Sequence, residues 1–245
     1  MLLDSKQDWF KQWFDSPYYD VLYSHRNEQE AQLFIDNLLA YLKPKEHARM
    51  LDMACGSGRH SIYLANKGYN VTGIDLSVRS IAAARSHESG NLHFYEHDIR
   101  NYFRIHYFDY IFSFFTSLGY FQQPRDNFKV VRSAYAGLKE GGNFVVDFFN
   151  ADKVLDVIVP KHTKTVGGIE FQIEKRVGGQ FIIKDITFEA DGASQHFQER
   201  VQLLRLSDFE KYFKESGFQL KTTFGDYMLN DFNHESDRLI MIVSK

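Results

Sequence analysis

The 245-residue chain has a single cysteine, Cys55. That excludes an intrachain disulfide and a cysteine-built zinc site. It also has no run of Lys and Arg. Its 29 basic residues are scattered among 32 acidic ones, for a net charge of -3. No stripe is available to track a phosphate backbone, so nucleic acid is not an expected partner. Long apolar runs are absent too. The longest, around Tyr110 to Phe121, is broken by polar residues and too short to cross a bilayer. The N-terminus, MLLDSKQDWF, lacks the basic and apolar regions of a secretion signal. A cytoplasmic chain without membrane contact is expected. Aromatics, in contrast, are plentiful: 23 Phe and 14 Tyr exceed what a minimal core needs and hint at aromatic-lined pockets.

Two helical patterns open the chain, Asp4 to Phe14 and Glu28 to Leu42, the second stopping before Pro44. The segment between them, SPYYDVLYSHRNE, is too aromatic for a plain linker. From Arg49 the elements alternate. Strands are expected over Arg49–Ala54, Asn70–Ile74, Asn91–Glu96, Phe108–Phe114 and Asn143–Phe149. Helices are expected over Arg59–Lys67, Ser77–His87 and Arg125–Leu138. Such alternation predicts an α/β fold with a mostly parallel sheet covered on both faces. The period then shifts to two over Thr163–Arg176, Gln180–Glu189 and Ser194–Leu206, with glycine breaks. That predicts an antiparallel β insert. A helix over Ser207–Ser216, capped by Ser207 and stopped by Gly217, precedes two closing strands, Phe218–Phe224 and Arg238–Val243.

Chemistry concentrates at LDMACGSGRHS, residues 51–61. Gly56 and Gly58 form a turn between strand and helix, where backbone can approach a ligand and helix N–H groups face an anion. Asp75 ends the next strand, at the distance expected of an acid that binds ribose hydroxyls, and Asp98 follows the one after. Three acids, Asp52, Asp75 and Asp98, therefore converge on one crevice at the carboxyl ends of parallel strands. A dinucleotide fingerprint wants a third glycine where Ser61 stands and has no acid in the place of Asp52. A second mononucleotide-binding half is missing as well. A dinucleotide oxidoreductase is disfavoured.

These motifs resemble the class I S-adenosylmethionine (SAM)-dependent methyltransferases. LDMACGSGRH, VTGIDLS, EHDIRN, FDYIFSFFTSLGYF and LKEGGNFVVDFFN match that family's successive motifs over about residues 45–150. Ala54 stands where the family usually has its first glycine. The resemblance implies a Rossmann-like class I methyltransferase fold, a mostly parallel seven-stranded sheet with a reversed last strand. It implies a SAM-binding domain over residues 45–160 and 207–245, a helical lid over 1–44, and the insert over 161–206. The insert either covers the acceptor or forms a homodimer surface.

The resemblance also implies roles. Backbone at Ala54, Gly56 and Gly58 passes the methionine part of SAM, and Asp52 orients it. Asp75 binds the ribose hydroxyls, and Leu76 flanks the adenine. Asp98 accepts from the adenine amino group, with Ile99 on its face. Phe114 and Phe115 lie near the sulfonium, and Tyr19, Tyr23 and Arg26 close the lid, Arg26 on the SAM carboxylate. The expected cofactor is SAM, without a metal. The expected partner is a small-molecule acceptor methylated at O or N. A non-catalytic SAM-binding module is the alternative. Tyr120 and His25 are the candidates for contact with the acceptor and for a base. Thr116 and Ser117 should face the cleft, Asn150 should reach it, and Glu199 and Arg205 could point from the insert toward the acceptor. His93 and His97 share a strand face, but the sequence offers no further ligand beside them.

Overall fold

The computed structural model describes residues 9–24 and 28–245. It opens with α1 (Trp9–Phe14), α2 (Pro17–Tyr23) and α3 (Glu28–Leu42). Strands and helices then alternate: β1 (Arg49–Met53), α4 (Arg59–Asn66), β2 (Asn70–Asp75), α5 (Val78–Arg85), β3 (Leu92–Glu96), β4 (Phe108–Ser113), α6 (Pro124–Gly137) and β5 (Leu138–Phe149). A short α7 (Ala151–Asp156) leads to β6 (Lys161–Val166), β7 (Ile169–Gly178), β8 (Phe181–Ala190) and β9 (Ala193–Gln202). The chain closes with α8 (Leu206–Ser216), β10 (Gln219–Phe224) and β11 (Arg238–Ser244).

Seven strands form one sheet in the order β10-β11-β5-β4-β1-β2-β3. β11 runs antiparallel to both its neighbours, and the remaining pairs are parallel. The expected fold class is thus the one that forms. The apolar run LIMIV explains why β11 sits inside the sheet: Leu239, Met241 and Val243 enter one core cluster, and Ile240 and Ile242 the other. A strand buried on both faces needs such a run. The strand order reverses between β1 and β4, so a crevice opens beyond their carboxyl ends. β6 to β9 form a separate antiparallel sheet.

Several local signals act as expected. Ser77 Oγ accepts from Ser80 N–H at 3.0 Å and caps α5. Gly217, at φ 95°, stops α8. Other boundaries move for identifiable reasons. α8 starts one residue before Ser207, because Asp208 accepts from Arg205 N–H at 3.0 Å. α6 passes straight into an extended Leu138, so β5 begins at 138 and not at 143. Gly167 and Gly168, both at positive φ, split the first expected insert strand into β6 and β7.

One core cluster joins α1, α2, the insert and the main sheet. Trp9, Phe10, Trp13 and Leu22 pack with Phe171, Ile173, Ile186 and Phe188 and with Leu51, Met53 and Phe144. Trp13 is fully buried, 4.6 Å from the Phe197 ring, and its Nε1–H donates to Glu199 at 2.7 Å. Burying a side chain of this kind contributes roughly 1.5–3 kcal/mol. The α1–α2 segment is also clipped to α5. Arg79 meets the Asp20 carboxylate at 2.6 Å and the carbonyls of Ser16 and Asp15, while Ser77 Oγ donates to Asp15 at 2.6 Å.

Candidate active site

The turn after β1 is built on left-handed backbone. Ala54, Gly56 and Gly58 have φ of 61°, 55° and 87°. Ala54 therefore adopts a conformation that a glycine would adopt without strain. Gly56 has open space where a Cβ would stand. Gly58 does not: a Cβ there would lie 2.5 Å from Phe94 Cζ. The second glycine lets α4 close onto β3, and the first leaves the backbone bare toward the crevice.

Asp52 lies beneath this turn, 1% exposed, and accepts from Ser61 Oγ–H at 2.6 Å. Burial pushes its carboxyl up to about 7. The Ser61 bond opposes that shift, and the Asp75 charge adds to it. Ser61, the residue that departs from a dinucleotide fingerprint, is thus the partner of the acid that also departs from it. Asp75 accepts from Gly56 N–H and Ser77 N–H, both at 2.8 Å, one on each oxygen. Burial raises its pKa, and those two bonds oppose the rise. A carboxylate oxygen has two lone pairs, so each retains acceptor capacity.

A cavity of ≈ 450 Å³ lies over the turn. Among its walls are Tyr19, Tyr23, Ala54, Gly56, Asp75, Phe114, Phe115 and Tyr120. These expected site residues come together. Asp52, Gly58, Leu76, Asp98 and Ile99 do not line it. The Asp98 carboxylate is gripped by the Arg100 guanidinium, at 2.6–3.1 Å. Burial raises the Asp98 pKa, but the Arg100 bonds outweigh it and hold the carboxyl below its usual value. Arg26 and His25 lie outside the described residues. His60, not singled out from sequence, lines the cavity and stacks on Phe115 at 5.1 Å.

A second cavity, of ≈ 350 Å³, adjoins the first. Phe14, Tyr19, Tyr23 and Tyr120 line both. Thr116, Phe149 and Arg238 come from the main sheet's end, and Lys175, Ile182, Lys184, Glu199 and Val201 from the insert. Glu199 therefore faces the cavity as the sequence allowed. Arg205 does not line it and pairs with Asp152 at 2.8 Å. Asn150 caps α7 and holds the carbonyls of His234 and Ser236. His93 is exposed, and His97 Nε2 lies 3.1 Å from Asn101 O. Among the described residues no cluster of His, Cys, Asp or Glu could hold a metal, and no helix is long and apolar enough to cross a membrane.

Sequence reasoning missed the support under the second cavity. Phe115 and Thr116 both have positive φ, at 53° and 62°. Asp147, fully buried, accepts from Phe115 N–H at 2.9 Å, and its carbonyl accepts from Thr116 N–H at 3.0 Å. Its carboxylate also takes Arg238 at 2.7 Å and Tyr227 O–H at 3.2 Å. One signal was present: an aspartate inside the apolar run VVDFF must be paired if it is buried.

The fold is thus a Rossmann-like sheet whose crevice holds a glycine turn, a buried acid and aromatic walls. A crevice at the carboxyl ends of parallel strands, at the point where the strand order reverses, is where open α/β sheets bind ligands. Comparison with known proteins agrees. Residues 50–142 match the family model described as "Methyltransferase domain". "Putative methyltransferase YqeM" of Bacillus subtilis (strain 168) is 28% identical, across 93% of this chain and 94% of its own length. The glycine/sarcosine N-methyltransferase of Aphanothece halophytica is 27% identical, across 90% and 83%. A crystal structure of an S-adenosylmethionine-dependent methyltransferase from Clostridium acetobutylicum ATCC 824 superimposes with a TM-score of 0.79 at 20% identity, covering 93% and 95%. Over residues 50–142 the chain thus matches the methyltransferase domain, and its fold is that of the SAM-dependent methyltransferases.

Proposed function

We propose that the protein transfers a methyl group from SAM to O or N of a small-molecule acceptor, with donor and acceptor in the two adjoining cavities. The observation that carries this reading is their shared wall of Phe14, Tyr19, Tyr23 and Tyr120. A second cavity opening beside the first supports turnover over a non-catalytic binding module. The A. halophytica relative is named for small amine acceptors, and ≈ 350 Å³ is at the small end of ligand pockets.

The residues over the turn fit SAM. Gly56 leaves room for the methionine part, Asp75 has acceptor capacity for ribose hydroxyls, and the Phe115, Tyr19 and Tyr23 faces suit a cation. Bound there, SAM supplies a methyl on sulfonium that is already electrophilic. The chain's own task is alignment, holding the nucleophile about 3–3.5 Å from that carbon and in line with it. Tyr120 and Thr116 are the polar groups of the β4 end that face the acceptor cavity. Asp52 and Ser61 support the turn from below, and Asp98 with Ile99 would meet the adenine beyond the cavity. Trp9, Phe14, Tyr19 and Tyr23 of the expected lid and the insert residues around Lys184 would enclose the acceptor.

S-adenosylhomocysteine should raise the melting temperature, and Asp75→Ala should remove that shift. An intact protein that shows no shift at millimolar ligand would refute the reading.

A further inference from the structure

The acceptor cavity has an uneven charge lining, and the unevenness lies in the insert. Lys175 on β7 and Lys184 on β8 are direct cross-strand partners. Lys184 is in turn opposite Glu199 on β9. Residues paired this way project from the same sheet face, and all three line the cavity. Each other charge on that wall is matched. Arg238 pairs with buried Asp147 at 2.7 Å. Lys184 pairs with Glu199 at 3.3 Å and donates to the Tyr23 hydroxyl oxygen. Glu199 further accepts from Trp13 and Tyr23. Lys175 is different: among the described residues its ammonium has no hydrogen-bond or ion-pair partner. It is half-buried, directly opposite a second lysine. Like charges in that position destabilise a sheet. Burial and the Lys184 charge lower its pKa, and the Glu199 carboxylate, already engaged by Lys184, Trp13 and Tyr23, offsets them only in part. His162 and Lys164 carry the same depression from burial and from Lys184. The positive field is therefore a property of this corner of the insert.

Resting on the proposed methyl transfer, we infer that the acceptor carries an acidic group, a carboxylate or phosphate, which Lys175 binds within the field of Lys184. The aromatic walls take the rest of the acceptor, and the nucleophile points to the Thr116–Tyr120 end of the same cavity. The anion would fill the one unmatched position on the wall and relieve the Lys175–Lys184 repulsion. This specifies the acceptor class that size and aromatic lining alone leave open.

The test uses the full chain saturated with S-adenosylhomocysteine. Its probes are benzoate and phenyl phosphate, with benzamide as the neutral control of matching shape, followed by calorimetry or thermal shift. One charge-assisted bond predicts that at least one acid binds about 10- to 100-fold more tightly than benzamide. Lys175→Met should abolish that preference, and Lys175→Arg should retain it. Without any probe, Lys175→Met should melt no lower than the parent, because it removes a like-charge pair. A residue with a merely structural role would lower it. Acids that bind no better than benzamide, or a preference that survives Lys175→Met, would overturn the inference. Loss of S-adenosylhomocysteine binding in the parent chain would instead overturn the methyl-transfer reading, so the two failures are separable.

Discussion

Replacing Asp52 by asparagine should make the protein more stable at neutral and alkaline pH. Asp52 is 1% exposed, and burial raises its carboxyl from 3.8 to about 7. The sign follows from proton counts. Between pH 3.8 and about 7 the folded state keeps a proton that the unfolded chain has lost. Stability contributed by this group is therefore fully present below pH 3.8 and is lost as pH rises through 7. At 1.36 kcal/mol per pH unit, the whole loss is about 4 kcal/mol, an upper bound for a relaxed protein. Asn keeps an oxygen to accept from Ser61 Oγ–H but places an NH2 where the other carboxylate oxygen stood, at a cost of about 1–3 kcal/mol. The net gain above pH 8 is about 2 kcal/mol, or roughly 4–8 °C in melting temperature for a chain of this size. Urea and thermal unfolding from pH 4.5 to 8.5 measure it. The parent should lose stability across that range relative to Asp52→Asn, and the two curves should cross, the parent being the more stable by about 1–3 kcal/mol toward pH 4, where its carboxyl is protonated in the fold and only the Asn cost remains. Parallel curves, or a variant less stable at pH 8, would refute the assignment of the buried charge. A second readout follows from the same charge. The cationic donor should bind more tightly as pH rises through 7, and Asp52→Asn should lose that slope.

Two further outcomes test the frame of the site. Gly58→Ala forces a Cβ to within 2.5 Å of Phe94 Cζ at φ 87°. It should cost roughly 2–4 kcal/mol in urea unfolding, from overpacking and left-handed strain together. Asp147→Ala strands the Arg238 guanidinium and releases Phe115 N–H. It should cost about 3–5 kcal/mol, and pairing it with Arg238→Met in a double-mutant cycle should recover a good part of that loss.

The donor side of this protein is legible in its sequence because it is made of local pieces. Asp52, the glycine turn and Ser61 fall within ten residues, and Asp75 follows one helix later. Strand period and turn chemistry place them without any tertiary contact. The strands β1 to β4 and the helices α3 to α6 are readable for the same reason: each carries its own period and, at Ser77 or Gly68, its own punctuation. What the sequence obscures is whatever depends on partners far along the chain. PYYDVLY reads as neither helix nor linker, because α2 is only seven residues long. It is held by Arg79 across to Asp20 and by Glu199 across to Tyr23. The wall of the second cavity is the extreme case. It is assembled from α1 and α2, from the turn after β4, and from three residues, Lys175, Lys184 and Glu199, on three different insert strands. Strand parity at those positions is fixed only by the hairpin registers, and a slip of one residue would turn each of them to the outer face. A Lys–Lys pair looks like two solvated surface charges until that register is known. Once it is known, the same two residues become the least balanced part of the cavity wall.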